Sequence, residues 1–343
     1  MNNALFKLNH SLPLAIKMLD VLRVVRADHP RDCAARDHFA MGLFNTLNNA
    51  EADAATTSEL VEELRALRAD DTESLVAREQ LSKGLSHLIY RNELTASELA
   101  DVLVELRTLH AEFSGDRAVL EQLAHSLNNA IHFGRQSLPD ALSLLHELRE
   151  LHAAHGQNRV VLEDLAMGLL NAINRTDHIP DAAPGMLAEL RQLYADHPGN
   201  DTVRRNLGMA LYNCMHQHES DSRALDDLYN ELQRVQSHNP EDDIVRSLLA
   251  QATALLVAVA MASQDTERAA TRAEALCPLR DAVLSATELR PLFQRTIDGA
   301  AEGAATLGDT DAERRLRAVY ETLFGGDDGP DAPAEPAPPT PEA

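Results

Sequence analysis

Leu22, Leu64, Leu106, Leu148, Leu190 and Leu232 stand 42 residues apart, and the register never slips. Arg23, Arg65, Arg107, Arg149 and Arg191 follow them, with Gln233 in the sixth place. A small residue returns on the same period at Gly42, Gly84, Ser126, Gly168, Ala210 and Ala252. A unit that recurs at a fixed spacing of roughly 20–50 residues cannot bury its apolar face alone; it buries it against its neighbours, and the result is a solenoid. A single elongated body of stacked units is therefore expected, and scaffolds of this kind bind partners more often than they catalyse.

Each period carries two helical patterns. Met18, Leu19, Leu22 and Val25, with copies such as Leu60, Val61, Leu64 and Leu67, step by three and four residues and draw one stripe along a helix. Turn signals end it at Asp28-His29-Pro30, His155-Gly156, His197-Pro198 and Asn239-Pro240, because proline cannot continue a helix and displaces the residue before it. Capping residues restart the chain at Asp71-Thr72-Glu73, Asn200-Asp201-Thr202 and Glu241-Asp242. The second pattern runs through Ala35, Phe39, Ala40, Gly42, Leu43, Thr46 and Leu47, and again through Val161, Leu165, Ala166, Gly168, Leu169, Ala172 and Ile173. Glycine inside a helix costs about 1 kcal/mol relative to alanine, so its return points to close packing of a neighbouring helix.

The hydrophobic fraction is 44%, but aromatics are only 3% and tryptophan is absent, so the core is one of Leu, Ala, Val and Met, which suits helices. With 54 acidic against 31 basic residues the net charge is −23, which disfavours nucleic acid as a partner. The longest apolar stretch, Ala252 to Ala262, is too short to span a bilayer, so no membrane role is expected. Cys33, Cys214 and Cys277 lack metal or disulfide spacing, and Met1 to Asn9 lacks the form of a signal peptide, so the expected location is the cytoplasm. The period fades after about Ala252. The expected organisation is a repeat region over 1–264, a degenerate helical cap over 265–324 with helices at Asp265–Val283, Thr287–Leu307 and Thr310–Phe324, and a disordered acidic, proline-rich tail over 325–343.

The spacing resembles that of tetratricopeptide repeats, whose pattern is Trp-x2-Leu-Gly-x2-Tyr, Ala-x3-Phe and Pro. Leu165-Ala166-x2-Leu169 is similar to the first block, Met186-x3-Leu190 to the second, and Pro198 falls where the closing proline belongs. The tryptophan position instead holds Arg36, Arg78, Leu120, Leu162 and Arg204, and the extra length falls around Thr176 to Pro184. The resemblance covers about Leu12 to Ala262 and implies an all-α right-handed superhelix of antiparallel helix pairs, with armadillo or HEAT repeats as the alternative architecture. It also implies that the helix carrying Gly42 and its copies lines a concave groove.

One stripe of that helix holds Asp37, Glu79, Glu121 and Glu163, where Arg205 breaks the series; then Met41, Lys83, His125, Met167 and Met209; then Asn45, His87, Asn129, Asn171 and Asn213; then Asn48, Tyr90, His132, Asn174 and His216. The column of Asn45, Asn129, Asn171 and Asn213 reads in two ways. Amides pair with an extended peptide backbone whatever its sequence, or they stitch one repeat to the next. Glu79, Glu121 and Glu163 would favour a basic ligand, or are a solvated helix face. The Arg65 series and Glu63, Glu105, Glu147, Glu189 and Glu231 read as surface ion pairs on the other helix. No metal-ligand set, phosphate loop or nucleophile–base pair emerges, so no cofactor and no catalysis are expected. The expected function is a non-enzymatic scaffold that holds a protein or peptide segment in the concave groove, with a structural or assembly subunit docking through its ends or convex face as the alternative.

Overall fold

The computed structural model describes residues 11–49, 51–133, 137–176 and 183–325, and every regular element among them is helical. Two compact units, residues 1–206 and 207–343, divide the chain inside one helix. The N-terminal Met1–Asn9, the tail beyond Gly325 and most of the Thr176–Pro184 insertion, for which the sequence carries the expectations above, lie outside the described residues.

The first unit contains α1 (Leu12–Asp28), α2 (Cys33–Leu47), α3 (Ala54–Asp70), α4 (Leu75–Tyr90), α5 (Ala96–Glu112), α6 (Arg117–Phe133), α7 (Leu138–Ala154), α8 (Arg159–Asn174), α9 (Ala183–Asp196) and the start of α10 (Asp201–Gln217). Consecutive helices pack on each other, and the even-numbered helices α2, α4, α6 and α8 also pack directly side by side. Neighbouring pairs stacked in this way are the arrangement that a helical solenoid requires.

The 42-residue period is built by capping as well as by leucines. The even helices begin at Asp32, Ser74, Asp116, Asn158, Asn200 and Asp242, and each of these side chains accepts a hydrogen bond from a backbone N–H of the first helical turn. Asp53, Thr95, Ser137 and Asp221 cap odd helices on the same spacing, Thr95 as a capping box with Glu98. The pairs that open at Asp53, Thr95, Ser137 and Asp221 are thus started twice per period by an oxygen acceptor, which fixes where the stripes begin; at α1 the Ser11 side chain makes no such bond.

The core is a column of side chains between the two layers. Leu19, Leu43, Leu64, Leu85, Leu106, Leu127, Leu148 and Leu169 are fully buried. Burial at about 25 cal/mol per Å2 of apolar surface holds the stack together, and no unit is closed by itself.

The odd helices reach each other through long side chains. Arg23 bonds Glu63, Arg65 bonds Glu105, Arg107 bonds Glu147 and Arg149 bonds Glu189, each arginine 40 residues before its carboxylate. In the last two rungs Nε and Nη2 donate at 2.9 and 2.7 Å, a two-pronged fit that lysine could not make. The ion pairs expected on this layer are therefore rungs between repeats.

In the second unit α11 (Ser222–His238), α12 (Asp243–Ala262), α13 (Thr266–Glu274), α14 (Arg280–Ser285), α15 (Arg290–Thr306) and α16 (Thr310–Phe324) follow α10. Helix α12 is the hub, packed by α11, α13, α14 and α15. It runs for 20 residues, longer than the apolar stretch marked in the sequence, and is long and apolar enough to cross a membrane; here it is a largely buried core helix. Its Thr253 hydroxyl lies 3.1 Å from the buried Tyr229 hydroxyl. The expected helix Asp265–Val283 is broken. α13 ends at Glu274, and Cys277–Leu279 forms a 3-10 turn before α14, because Pro278 has no N–H to continue the ladder.

Candidate functional site

Helices α2, α4, α6 and α8 present one face away from the odd helices, and the stripe singled out in the sequence lies along it. Two of its members carry open amides. Asn45 and Asn129 are partly exposed, and neither side chain makes a hydrogen bond among the described residues. Met41 and Met167 are each 39% exposed on the same stripe. At the far end of α4, Tyr90 is 62% exposed and meets the Phe133 ring edge-on at 6.1 Å, and His132 meets Phe133 edge-on at 4.9 Å.

The other asparagines behave differently. Asn171 is buried; its Nδ2 donates to Asn128 Oδ1 at 3.0 Å, and its Oδ1 lies 3.2 Å from His132 Nδ1. Asn213, in the second unit, is partly buried and already engaged within the protein. The column thus divides: Asn45 and Asn129 are open, and Asn171 stitches α8 to α6.

The carboxylates are tied down in the protein. Glu121 accepts from Arg117 Nε at 2.6 Å and from Asn158 Nδ2 at 3.2 Å; Glu163 accepts from Arg159 Nε at 2.6 Å and from Asn200 Nδ2 at 3.1 Å. Asn158 and Asn200 are the caps of the next even helices, so the same amide starts one helix and anchors it to the previous one. At Glu79 the corresponding cap is Asp116, a carboxylate that cannot donate, and Lys83 Nζ takes its place at 2.6 Å. Each of these carboxylates is paired with one cation and still lies on the open face.

Arg78, in the column of Arg36, Leu120, Leu162 and Arg204, is a buried cation. It is 4% exposed, its Nε donates to Asp116 at 2.8 Å, and its guanidinium lies 3.6 Å from the centre of the Phe113 ring. A cleft of about 540 Å3 opens beside it, lined by Leu75, Glu79 and Arg117 among others.

Sequence reasoning missed the most polar feature of this layer. Asp164 is 4% exposed on α8, and His125 Nδ1 on α6 lies 2.9 Å from its Oδ1 and 2.7 Å from its Oδ2. Asn128 Nδ2 donates to Asp164 Oδ1 at 3.3 Å. Burial pushes the Asp164 carboxyl above its ordinary range against the pull of these donors, while the bond to Asp164 raises His125. The signal was present in the sequence: His38, Gln80, Gln122, Asp164 and Asn206 form a polar column on the 42-residue period. Among the described residues no cluster of His, Cys, Asp and Glu could hold a metal ion.

Compared with known proteins, the chain matches no protein-family model and no curated sequence.

Proposed function

We propose that the chain is a non-enzymatic scaffold resembling tetratricopeptide repeats, working in the cytoplasm, and that the even-helix layer of its first unit holds an extended protein segment. The observation that carries this reading is the pair of open amides at Asn45 and Asn129, one on α2 and one on α6, at equivalent positions of a repeating face. An amide that makes no hydrogen bond within the described residues on a repeating face suits a backbone that supplies both donor and acceptor. Exposed Met41 and Met167 add an adaptable apolar surface, and the close packing of the even helices suits the inner side of a curved stack. No disulfide joins Cys33, Cys214 and Cys277, as a reducing compartment would leave them. Asn171 is left out of the ligand set because its bonds are spent on Asn128 and His132.

The test is capture of partners from a native lysate with wild type beside an Asn45→Ala/Asn129→Ala variant whose thermal unfolding is unchanged. Loss of a partner with the variant supports the groove; an identical partner set with both variants sinks it.

A second reading, assembly through an end of the stack, is favoured by α1. Leu14, Val21, Val24 and Val25 are exposed there, and Val21 occupies the position that holds Glu63, Glu105, Glu147 and Glu189 in the other odd helices. If another copy docks on this face, Val21→Glu lowers the sedimentation mass of the assembly; an unchanged mass counts against it.

A further inference from the structure

Asp164 is more than the fold requires. At the equivalent position Gln80 and Asn206 are also buried, and Gln122 is partly so, each a neutral amide. An amide there meets the structural need for a polar group between even helices. A carboxylate in the same place pays desolvation that an amide avoids, and it is found only where a histidine on the neighbouring helix turns a ring nitrogen onto it.

That contact fixes the histidine. A carboxylate only accepts, so His125 must donate from Nδ1, which leaves Nε2 as the free nitrogen on a ring whose side chain is 47% exposed. The same logic runs through His132. Asn128 spends its Nδ2 on Asp164 and its Oδ1 on Asn171 Nδ2, so Asn171 Oδ1 is left to accept from His132 Nδ1. Two imidazoles on one face of α6 are thus set with Nδ1–H inward, each 39 residues before the group that holds it.

We infer that His125, oriented by buried Asp164 and flanked by Glu121 and Glu163, is a subsite for a cationic side chain of the bound segment, with the neutral Nε2 as acceptor and protonation of the ring as the release signal. This deepens the groove reading and rests on it. In the neutral ring Nε2 offers a lone pair to an ammonium or guanidinium N–H. Once protonated, Nε2 becomes a donor on a positive ring and turns such a ligand away. The groups facing His125 are Asp164 and Glu163 from α8 and Glu121 from its own helix, and their carboxylates favour the charged ring. Helix α4 brings the Lys83–Glu79 pair to the same stripe one repeat earlier, and α5 and α7 lie on the core side, where Leu106 and Leu148 are fully buried. Because the Asp164 bond raises His125, release begins above the ordinary histidine value of about 6.5.

The variants can be taken from the chain's own repeats. His125→Met places the residue found at Met41, Met167 and Met209, and Asp164→Gln the residue found at Gln80 and Gln122, so the fold has accepted both. The probe is acetyl-Gly-Lys-Gly-Lys-Gly-Lys-amide, with its glutamine counterpart as the neutral control, titrated calorimetrically into the full chain at pH 8.5 and pH 5.5. Wild type should bind the lysine peptide in preference to the glutamine peptide at pH 8.5 and lose about tenfold or more on acidification, the size of one charge-assisted hydrogen bond. His125→Met should be weaker at pH 8.5 and nearly flat with pH, and Asp164→Gln should move the midpoint down. Long-range 1H–15N spectra of the free protein should show His125 carrying its proton on Nδ1 at pH 8.5. The proposal is overturned if His125→Met keeps the wild-type pH profile, if neither peptide is preferred, or if the proton resides on Nε2. The groove reading fails separately, through an Asn45→Ala/Asn129→Ala variant that keeps all its captured partners.

Discussion

Alanine at Gly168 and alanine at Gly208 should move stability in opposite directions. Both glycines lie inside even helices, and replacing a helical glycine by alanine returns about 1 kcal/mol of propensity. At Gly208 the added methyl would sit 3.4 Å from Leu248 Cδ1, 3.6 Å from Leu232 Cδ1 and 3.7 Å from Val245 Cγ2, which is ordinary contact. The gain survives there, and Gly208→Ala should stabilise by about 0.5–1 kcal/mol. At Gly168 the methyl would come within 2.9 Å of Leu148 Cδ1, with Ile131 Cδ1 and Leu145 Cδ1 both at 3.5 Å. Leu148 is fully buried, so its methyl can yield only by pushing other core atoms, and overpacking of this kind costs about 1–3 kcal/mol. The net for Gly168→Ala is a loss of up to about 2 kcal/mol. Gly84, whose methyl would lie 3.1 Å from Leu64 Cδ1, should fall between the two. Urea unfolding followed by far-ultraviolet circular dichroism reads the order directly. If Gly168→Ala stabilises as much as Gly208→Ala, the leucines around it move freely and close packing is not why glycine stands there.

Arg78→Ala removes a buried cation from Asp116 and from the Phe113 ring; leaving Asp116 without it should cost about 3 kcal/mol or more, and a loss below about 1 kcal/mol by urea unfolding refutes the assignment. Asn158→Ala deletes both a helix cap and the bond to Glu121 and should cost about 1–2 kcal/mol, whereas Arg107→Ala, which breaks a half-exposed rung, should cost about 0.2–1 kcal/mol; equal costs would contradict the ranking. Burial lowers His87, His110 and His152 below the ordinary histidine value. The folded chain therefore favours their neutral forms, and the unfolded chain takes up protons first as pH falls through about 6.5. Stability should be full above that pH and decline towards the lower folded values, with His125 and Asp164, both raised, working in the opposite sense. A melting temperature that holds steady or rises from pH 7.5 to pH 5.5 contradicts this.

The helical stack was legible because its cause is periodic. Leu22 and its copies recur because each unit buries the same face against the next, and any contact between equivalent residues reappears every 42 positions. The caps at Asp32, Ser74, Asp116, Asn158, Asn200 and Asp242 obey the same period, yet they change residue type from unit to unit, since Asp, Ser and Asn all supply the oxygen that a first turn needs. A column of one chemistry stands out at once; a column of one function does not. The break at Pro278 was missed for a different reason: outside the period, nothing marked which of two competing signals, an apolar helical pattern or a proline, would prevail.

The candidate site shows where periodic reading stops. Columns compare a residue with its copy 42 positions on, but side chains on adjacent helices meet at other offsets: Glu121 with Asn158 at 37, His125 with Asp164 at 39, Asn128 with Asn171 at 43. Asn129 and Asn171 therefore belong to one column in the sequence and do different work in the fold. Asn171 reaches Asn128, one residue before its formal counterpart, because α6 offers a second amide there; α4 carries Ser86 at the position equivalent to Asn128, and Asn129 is left open. The consecutive pair Asn128-Asn129 is what splits the roles, one amide turned into the layer and one left at its surface. A single substitution at Asn128 should then release Asn171 without touching Asn129, so Asn128→Leu separates stitching from binding: it should lower stability by about 1–3 kcal/mol, the cost of a buried polar group losing its partner, while partner capture through Asn45 and Asn129 persists.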